Sequence, residues 1–213
     1  MPIDFTFALV CHAPRPAAVV ERVEEALLSV GFSRDPEVLV SKSTEDPEES
    51  LFIDDLLQDN AHLDDWASVY VDFRSRDLSL GLQFDVSTKE SVSGYIFINM
   101  DKVRDLHGAD LPKPFYERIG LIARSANAIG GYGGFEAAQR AESPEHMFAA
   151  LLATPGDQRL WFDVHLVESS VLSRTSAAAE WQTHFERTET HGFSFFVKRE
   201  FLNMCRKSER VSA

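Results

Sequence analysis

The chain has 213 residues, a mass of 23.9 kDa and a formal net charge of −13, with 44% hydrophobic residues and 16 phenylalanines. That apolar content supplies a sizeable core, which excludes a wholly disordered chain and favours one α+β domain over residues 1–213. No apolar run approaches the ~20 residues of a membrane helix and the N-terminus lacks the basic and apolar regions of a secretory signal, so a cytoplasmic protein is expected, with Cys11 and Cys205 as buried free thiols.

In "IDFTFALV" (3–10), Ile3, Phe5, Phe7 and Leu9 alternate onto one face and predict a strand. In "RPAAVVERVEEALLSV" (15–30), Val19, Val23, Ala26, Leu27 and Val30 recur at helical spacing, and Gly31 sits at a C-terminal cap position. "EVLVS" (37–41) predicts a short strand. "SLFIDDLLQDN" (50–60) reads as a short helix within an acidic surface excursion over residues 42–66.

Three runs follow: "ASVYVDFR" (67–74), "LSLGLQFDV" (78–86) and "SGYIFINM" (93–100). Their short polar links predict an antiparallel three-stranded meander, with amphipathic helices covering the sheet. "DKVRDLHG" (101–108) reads as a helical turn. Phe115, Ile119, Ile122, Ala123, Ala126 and Ile129 predict a helix over 114–129. "SPEHMFAALLAT" (143–154) predicts another, with Ser143 as N-cap and Pro144 at the first position. Further on come a strand over 158–169, a helix over 177–187, a strand over 193–199 and a polar tail. The sheet is therefore mostly antiparallel.

Charge is the most uneven feature. Residues 35–65 hold eleven acids and one base, Lys42, so this stretch carries −10 of the total −13. Such a block repels phosphate backbones and steers basic partners within a Debye length of about 8–10 Å. Direct nucleic-acid binding through this surface is thereby disfavoured, and with no long apolar run no membrane partner is expected. Glu45, Asp46, Glu48, Glu49, Asp54, Asp55, Asp59, Asp64 and Asp65 are the candidate partner-binding residues. A solvated, solubilising loop explains the same composition.

The remaining constellations are weaker signals. Gly130, Gly131, Gly133 and Gly134 follow a helix, where a dinucleotide fingerprint follows a strand, and no Lys follows as in a P-loop. Gly130 and Gly131 read as a helix end, and "YGGFEAA" as a short strand or loop. Glu180 and His184 are four apart on a predicted helix, near Glu186 and His191, and such spacing can begin a metal site or a surface hydrogen bond. Asp163 and His165 share one face of a predicted strand, a pair that suits a catalytic dyad but is read by default as a solvated face. Cys11 and His12 point to opposite faces, and Tyr70 and Phe73 differ in parity, so with Trp66 they read as packing residues. No catalytic motif, metal or cofactor is assigned.

The order strand, helix, acidic excursion and meander, followed by "FYERIGLIARSANAIGGYGGF", resembles bacterial immunity proteins of type VI secretion and polymorphic-toxin systems. The matching pieces are Gly131, Tyr132, Gly133 and then Trp161, within a resemblance spanning about residues 78–170. The resemblance implies a cytoplasmic protein, monomeric or homodimeric, that binds and blocks a cognate bacterial toxin and has no enzymatic activity. It carries over no partner-contact residues. The alternative is a small-molecule-binding or metal-dependent enzyme with a pocket between sheet and helices.

Overall fold

Alternating apolar residues dictate the strands, and their register builds one large sheet. The computed structural model describes residues 4–13, 15–42, 49–52, 66–76, 78–88, 90–99, 112–135, 143–153, 162–173 and 184–201. The first half comprises β1 (Asp4–His12), α1 (Pro16–Ser29), β2 (Ser33–Ser41), β3 (Glu49–Phe52), β4 (Ser68–Arg74), β5 (Ser79–Val86) and β6 (Ser91–Asn99). The second comprises α2 (Pro112–Ser125), β7 (Ala128–Phe135), α3 (Pro144–Ala153), β8 (Val164–Glu168), α4 (Ser169–Leu172), β9 (Phe185–Thr190) and β10 (Phe193–Lys198). The ten described strands form a single antiparallel sheet in the order β3-β2-β4-β5-β6-β1-β7-β8-β10-β9. The architecture is α+β, as the sequence predicts, and β4-β5-β6 is the expected meander.

The two faces of the sheet differ. On one, Phe5, Phe7, Leu9 and Cys11 of β1 lie in register with Ile98, Ile96, Gly94 and Val92 of β6. Leu80, Leu82 and Phe84 of β5 and Val69, Val71 and Phe73 of β4 continue this layer, which is buried. α1 covers it over β2, β4 and β5, and α2 covers it near β7 and β9. Each large side chain fully buried here contributes about 1.5–3 kcal/mol. Burial also pushes the Cys11 thiol up to about 12, so it stays protonated inside the core.

On the opposite face α3 packs over β1 and β7, and α4 over β8 and β10. Two smaller apolar clusters lie beneath them, one around Val10, Phe148, Val167 and Phe196 and one around Ala8, Tyr132, Leu151 and Phe162. These helices leave the β4-β5-β6 part of this face to polar and aromatic residues.

Helix ends follow local chemistry. Gly31 takes a left-handed φ of 87°, and α1 closes with Gly31 N–H donating to Leu28 O (3.1 Å) and Phe32 N–H to Leu27 O (3.1 Å). This is the Schellman arrangement, and Phe32 and Leu27 are both buried in the same core. α1 is tied to β2 by the half-buried ion pair of Glu24 and Arg34 at 2.9 Å. Ser143 caps α3 by accepting from His146 N–H at 3.4 Å, with Pro144 at the first helical position.

Four expectations are corrected. Residues 50–52 belong to strand β3, not a helix, because Leu51 and Ser50 pair with Val38 and Leu39 of β2. α2 stops at Ser125 rather than at 129, and its end is made by Asn127, left-handed at φ 56°. Asn127 also joins this end to β1: its Nδ2 donates to His12 O (2.9 Å), and its own carbonyl accepts from His12 N–H (3.0 Å). Gly130 and Gly131 therefore do not end the helix; with Gly133 and Gly134 they lie inside β7, between β1 and β8. Residues 185–187 are in strand β9, not a helix, paired with Lys198, Val197 and Phe196 of β10. The expected structure at 53–60, 101–108, 158–161 and 177–183 lies outside the described residues.

Candidate functional site

Side-chain alternation in the meander sorts two sets of residues. Val69, Val71, Phe73, Leu80, Leu82 and Phe84 enter the core, so the residues between them face the other way. Three rows result across β4, β5 and β6: Ser68–Asp85–Ser93, Tyr70–Gln83–Tyr95 and Asp72–Gly81–Phe97. Apart from the buried Gly81 and Ser93, these residues are half-exposed.

The rows are held by their own polar contacts. Tyr70 lies across Gly81, where a Cβ would collide with the tyrosine hydroxyl, and that hydroxyl donates to Asp72 Oδ1 at 3.0 Å. Asp85 accepts from Ser68 Oγ (2.5 Å) and from Gln83 Nε2 (3.0 and 3.1 Å). The rings of Tyr70, Phe97 and Tyr95 form a ladder with centroids 6.3 and 6.5 Å apart. Burial, then the charges of Asp85 and Glu145, push the Tyr95 hydroxyl up to about 12, so it remains a donor. Carboxylates held beside aromatic rings suit the ammonium and guanidinium groups of a basic partner.

Glu145, in the first turn of α3, borders this face. Its Oε1 accepts from Ser93 Oγ and its Oε2 from Ser143 Oγ, each at 3.0 Å. Burial works to raise its pKa, but hydrogen bonds from Ser87, its own backbone N–H, Ser143 and Ser93 outweigh it and hold the group below its ordinary 4.5. The stability it contributes is thus present above the ordinary value and is lost as pH falls through the depressed one. Glu145→Gln is expected to cost about 1–2 kcal/mol at neutral pH. It should also flatten the acid limb of stability against pH, both read by urea unfolding across that range. An unchanged acid limb would show that Glu145 does not carry it.

Of the predicted partner-binding residues, Glu49 opens β3, paired with Val40, at the edge of the sheet. Glu45, Asp46, Glu48, Asp54, Asp55, Asp59, Asp64 and Asp65 lie outside the described residues. The chain leaves β2 after Lys42 and returns at Glu49, then leaves β3 after Phe52 and returns at Trp66 before β4. The described residues of the acidic stretch lie on β2 and β3, next to β4; Leu39 of β2 is in register with Tyr70 of the polar-aromatic rows, whereas Glu49 is in register with Val40, which belongs to the core face. Lys42, its one base, sits over the Trp66 ring at 5.3 Å. Asp35 pairs with Arg74 at 3.4 Å.

The other candidates separate. His165 is buried, not solvated as expected, with the rings of Phe162 and Phe185 edge-on at 6.0 and 5.1 Å. These rings, and the pairing of β8 between β7 and β10 that sets His165 in register with Tyr132 and Phe196, enclose it and override the polar alternation. His184 precedes β9 and Glu186 is exposed on it, whereas Glu180 and Cys205 lie outside the described residues. Among the described residues no three His, Cys, Asp or Glu side chains are grouped to hold a metal, and no helix is long and apolar enough to cross a membrane. Asp72, Asp85, Tyr95 and Phe97 are not among the residues that charge and spacing single out. Their signal was available in the odd-even alternation of the three meander strands.

No family model matches the chain, and no curated protein matches it. Among solved structures, the Pseudomonas aeruginosa T6SS protein PA0821 superposes with a TM-score of 0.48 at 10% sequence identity. The superposition covers 91% of this chain, which spans 64% of that protein's length.

Proposed function

We propose that this protein is an immunity-type binding protein that neutralises a basic bacterial toxin through an acidic surface, without catalysis of its own. The observation that carries the reading is the −10 charge of residues 35–65. Its described part in β2 runs beside β4, where Leu39 is in register with Tyr70 of the Tyr70–Phe97–Tyr95 ladder and Asp35 pairs with Arg74. The acids Glu45, Asp46, Glu48, Glu49, Asp54, Asp55, Asp59, Asp64 and Asp65 attract the partner at long range, and the aromatic rows receive its Lys and Arg side chains on docking. The sequence resemblance over residues 78–170 supports the same class of partner.

Co-expression with a basic toxin encoded beside its gene tests the reading. Co-elution of the two proteins and restored growth of the toxin-producing cell are expected. A toxin that kills equally well and elutes alone in the presence of this protein would contradict it.

A further inference from the structure

α1 and α2 lie side by side on the core face, and the turn between β9 and β10 closes one end of the gap between them. The result is an open groove of about 560 Å³. Its lining includes Arg22, Glu25, Leu121, Arg124, Ser125 and His191. In a chain of net charge −13, two guanidinium groups against one carboxylate make this a cationic spot, with an imidazole beside them.

The side-chain donors of this groove are not used up by the fold. Arg22 Nε donates to Ser125 O at 3.0 Å, which holds the guanidinium at the carbonyl end of α2 and offsets the negative end of that helix. This leaves both of its NH2 groups for another acceptor. The side chains of Arg124 and His191 make no hydrogen bond or ion pair among the described residues.

His191 also holds a left-handed backbone conformation, which among non-glycine residues Asn, Asp and His adopt most often. The β9–β10 hairpin turns on His191 and Gly192, with φ of 53° and 85°. Two successive positive φ values define the tight turn that prefers Asn, Asp or Gly at its first position. α2 accommodates the imidazole with Gly120, where a Cβ would come within 3.1 Å of both His191 Cδ2 and Thr190 Cγ2.

We propose that this groove binds a phosphate group. Two guanidinium forks match phosphate oxygens in bidentate fashion. The imidazole adds a third donor from the facing hairpin, and Glu25 is placed to accept from a hydroxyl on an organic phosphate. The site is separate from the acidic surface and does not depend on its function.

The test is titration of the full chain with inorganic phosphate and with glycerol 2-phosphate, at constant low ionic strength, followed by NMR. Saturable shifts confined to Arg22, Arg124, His191 and their neighbours are expected. Tighter binding of the ester assigns an organic phosphate, and equal binding of the two assigns the free ion; either supports the site. Arg124→Gln should weaken binding about tenfold, by loss of a charge-assisted contact. His191→Asn should also weaken it while leaving the melting temperature unchanged or higher, because Asn suits the turn. Shifts that fail to saturate, that chloride reproduces at matched ionic strength, or that survive Arg124→Gln would overturn the proposal. So would a His191→Asn variant that binds phosphate as the parent does.

Discussion

Gly131→Ala is expected to destabilise the protein by about 3 kcal/mol or more, a loss at the upper end of single substitutions. β7 lies between β1 and β8, with Gly131 opposite Leu9 on one side and Leu166 on the other. A Cβ at Gly131 would collide with the carbonyl oxygen of Ala8 and would stand 3.0 Å from both Leu9 Cδ2 and Phe7 Cε1. The first of these is backbone in a paired central strand, so it cannot yield without breaking the β1–β7 ladder. Gly134→Ala is the internal control. There the Cβ would come no closer than 3.1 Å, to Asp163 Oδ2, a side-chain atom rather than backbone, so a smaller loss of about 1 kcal/mol is expected. Urea unfolding of the two variants reads the difference directly. If Gly131→Ala lost no more than Gly134→Ala, the close approach of β1 to a bare β7 backbone would be wrong.

That close approach explains why the glycine-rich stretch misleads as sequence. Glycines mark turns and helix ends because they tolerate positive φ, and "AIGGYGGF" follows a strong helix. Here they are absences of side chain within a strand. Phe7 covers Gly133 on one face and Phe148 covers Gly130 on the other, and a Cβ at either glycine would strike the ring. The large residues that require them are in β1 and α3, far away in sequence, so no local pattern announces the pairing. The helix end instead depends on Asn127, whose partner His12 is equally remote.

Elsewhere local pattern and tertiary structure agree. The meander, the capped start of α3 and the Gly31 end of α1 were legible because each rests on contacts within a few residues or on a strict period of two. β9 was not legible. "FERTET" has one apolar residue, Phe185, and becomes a strand by pairing with β10 across the His191–Gly192 turn. Its charged, exposed residues suit a sheet edge, where they discourage further strand addition. For the candidate surface, composition alone reveals the acidic stretch. The aromatic rows become visible only when β4, β5 and β6 are set in register.

The acidic stretch carries the second large effect. Reversing Asp54, Asp55, Asp64 and Asp65 to Lys changes the chain's charge from −13 to about −5 and leaves the aromatic rows in place. Steering by opposite charge raises association rates by about 10–10³-fold at low ionic strength and fades as salt screens it. Loss of contacts in the docked complex acts mainly on dissociation instead. Stopped-flow association with the basic toxin proposed as its partner, across a salt series, reads this steering. The four-fold variant is expected to associate at least about tenfold more slowly at low salt, with a much flatter dependence on ionic strength. An unchanged association rate and an unchanged salt slope would contradict it.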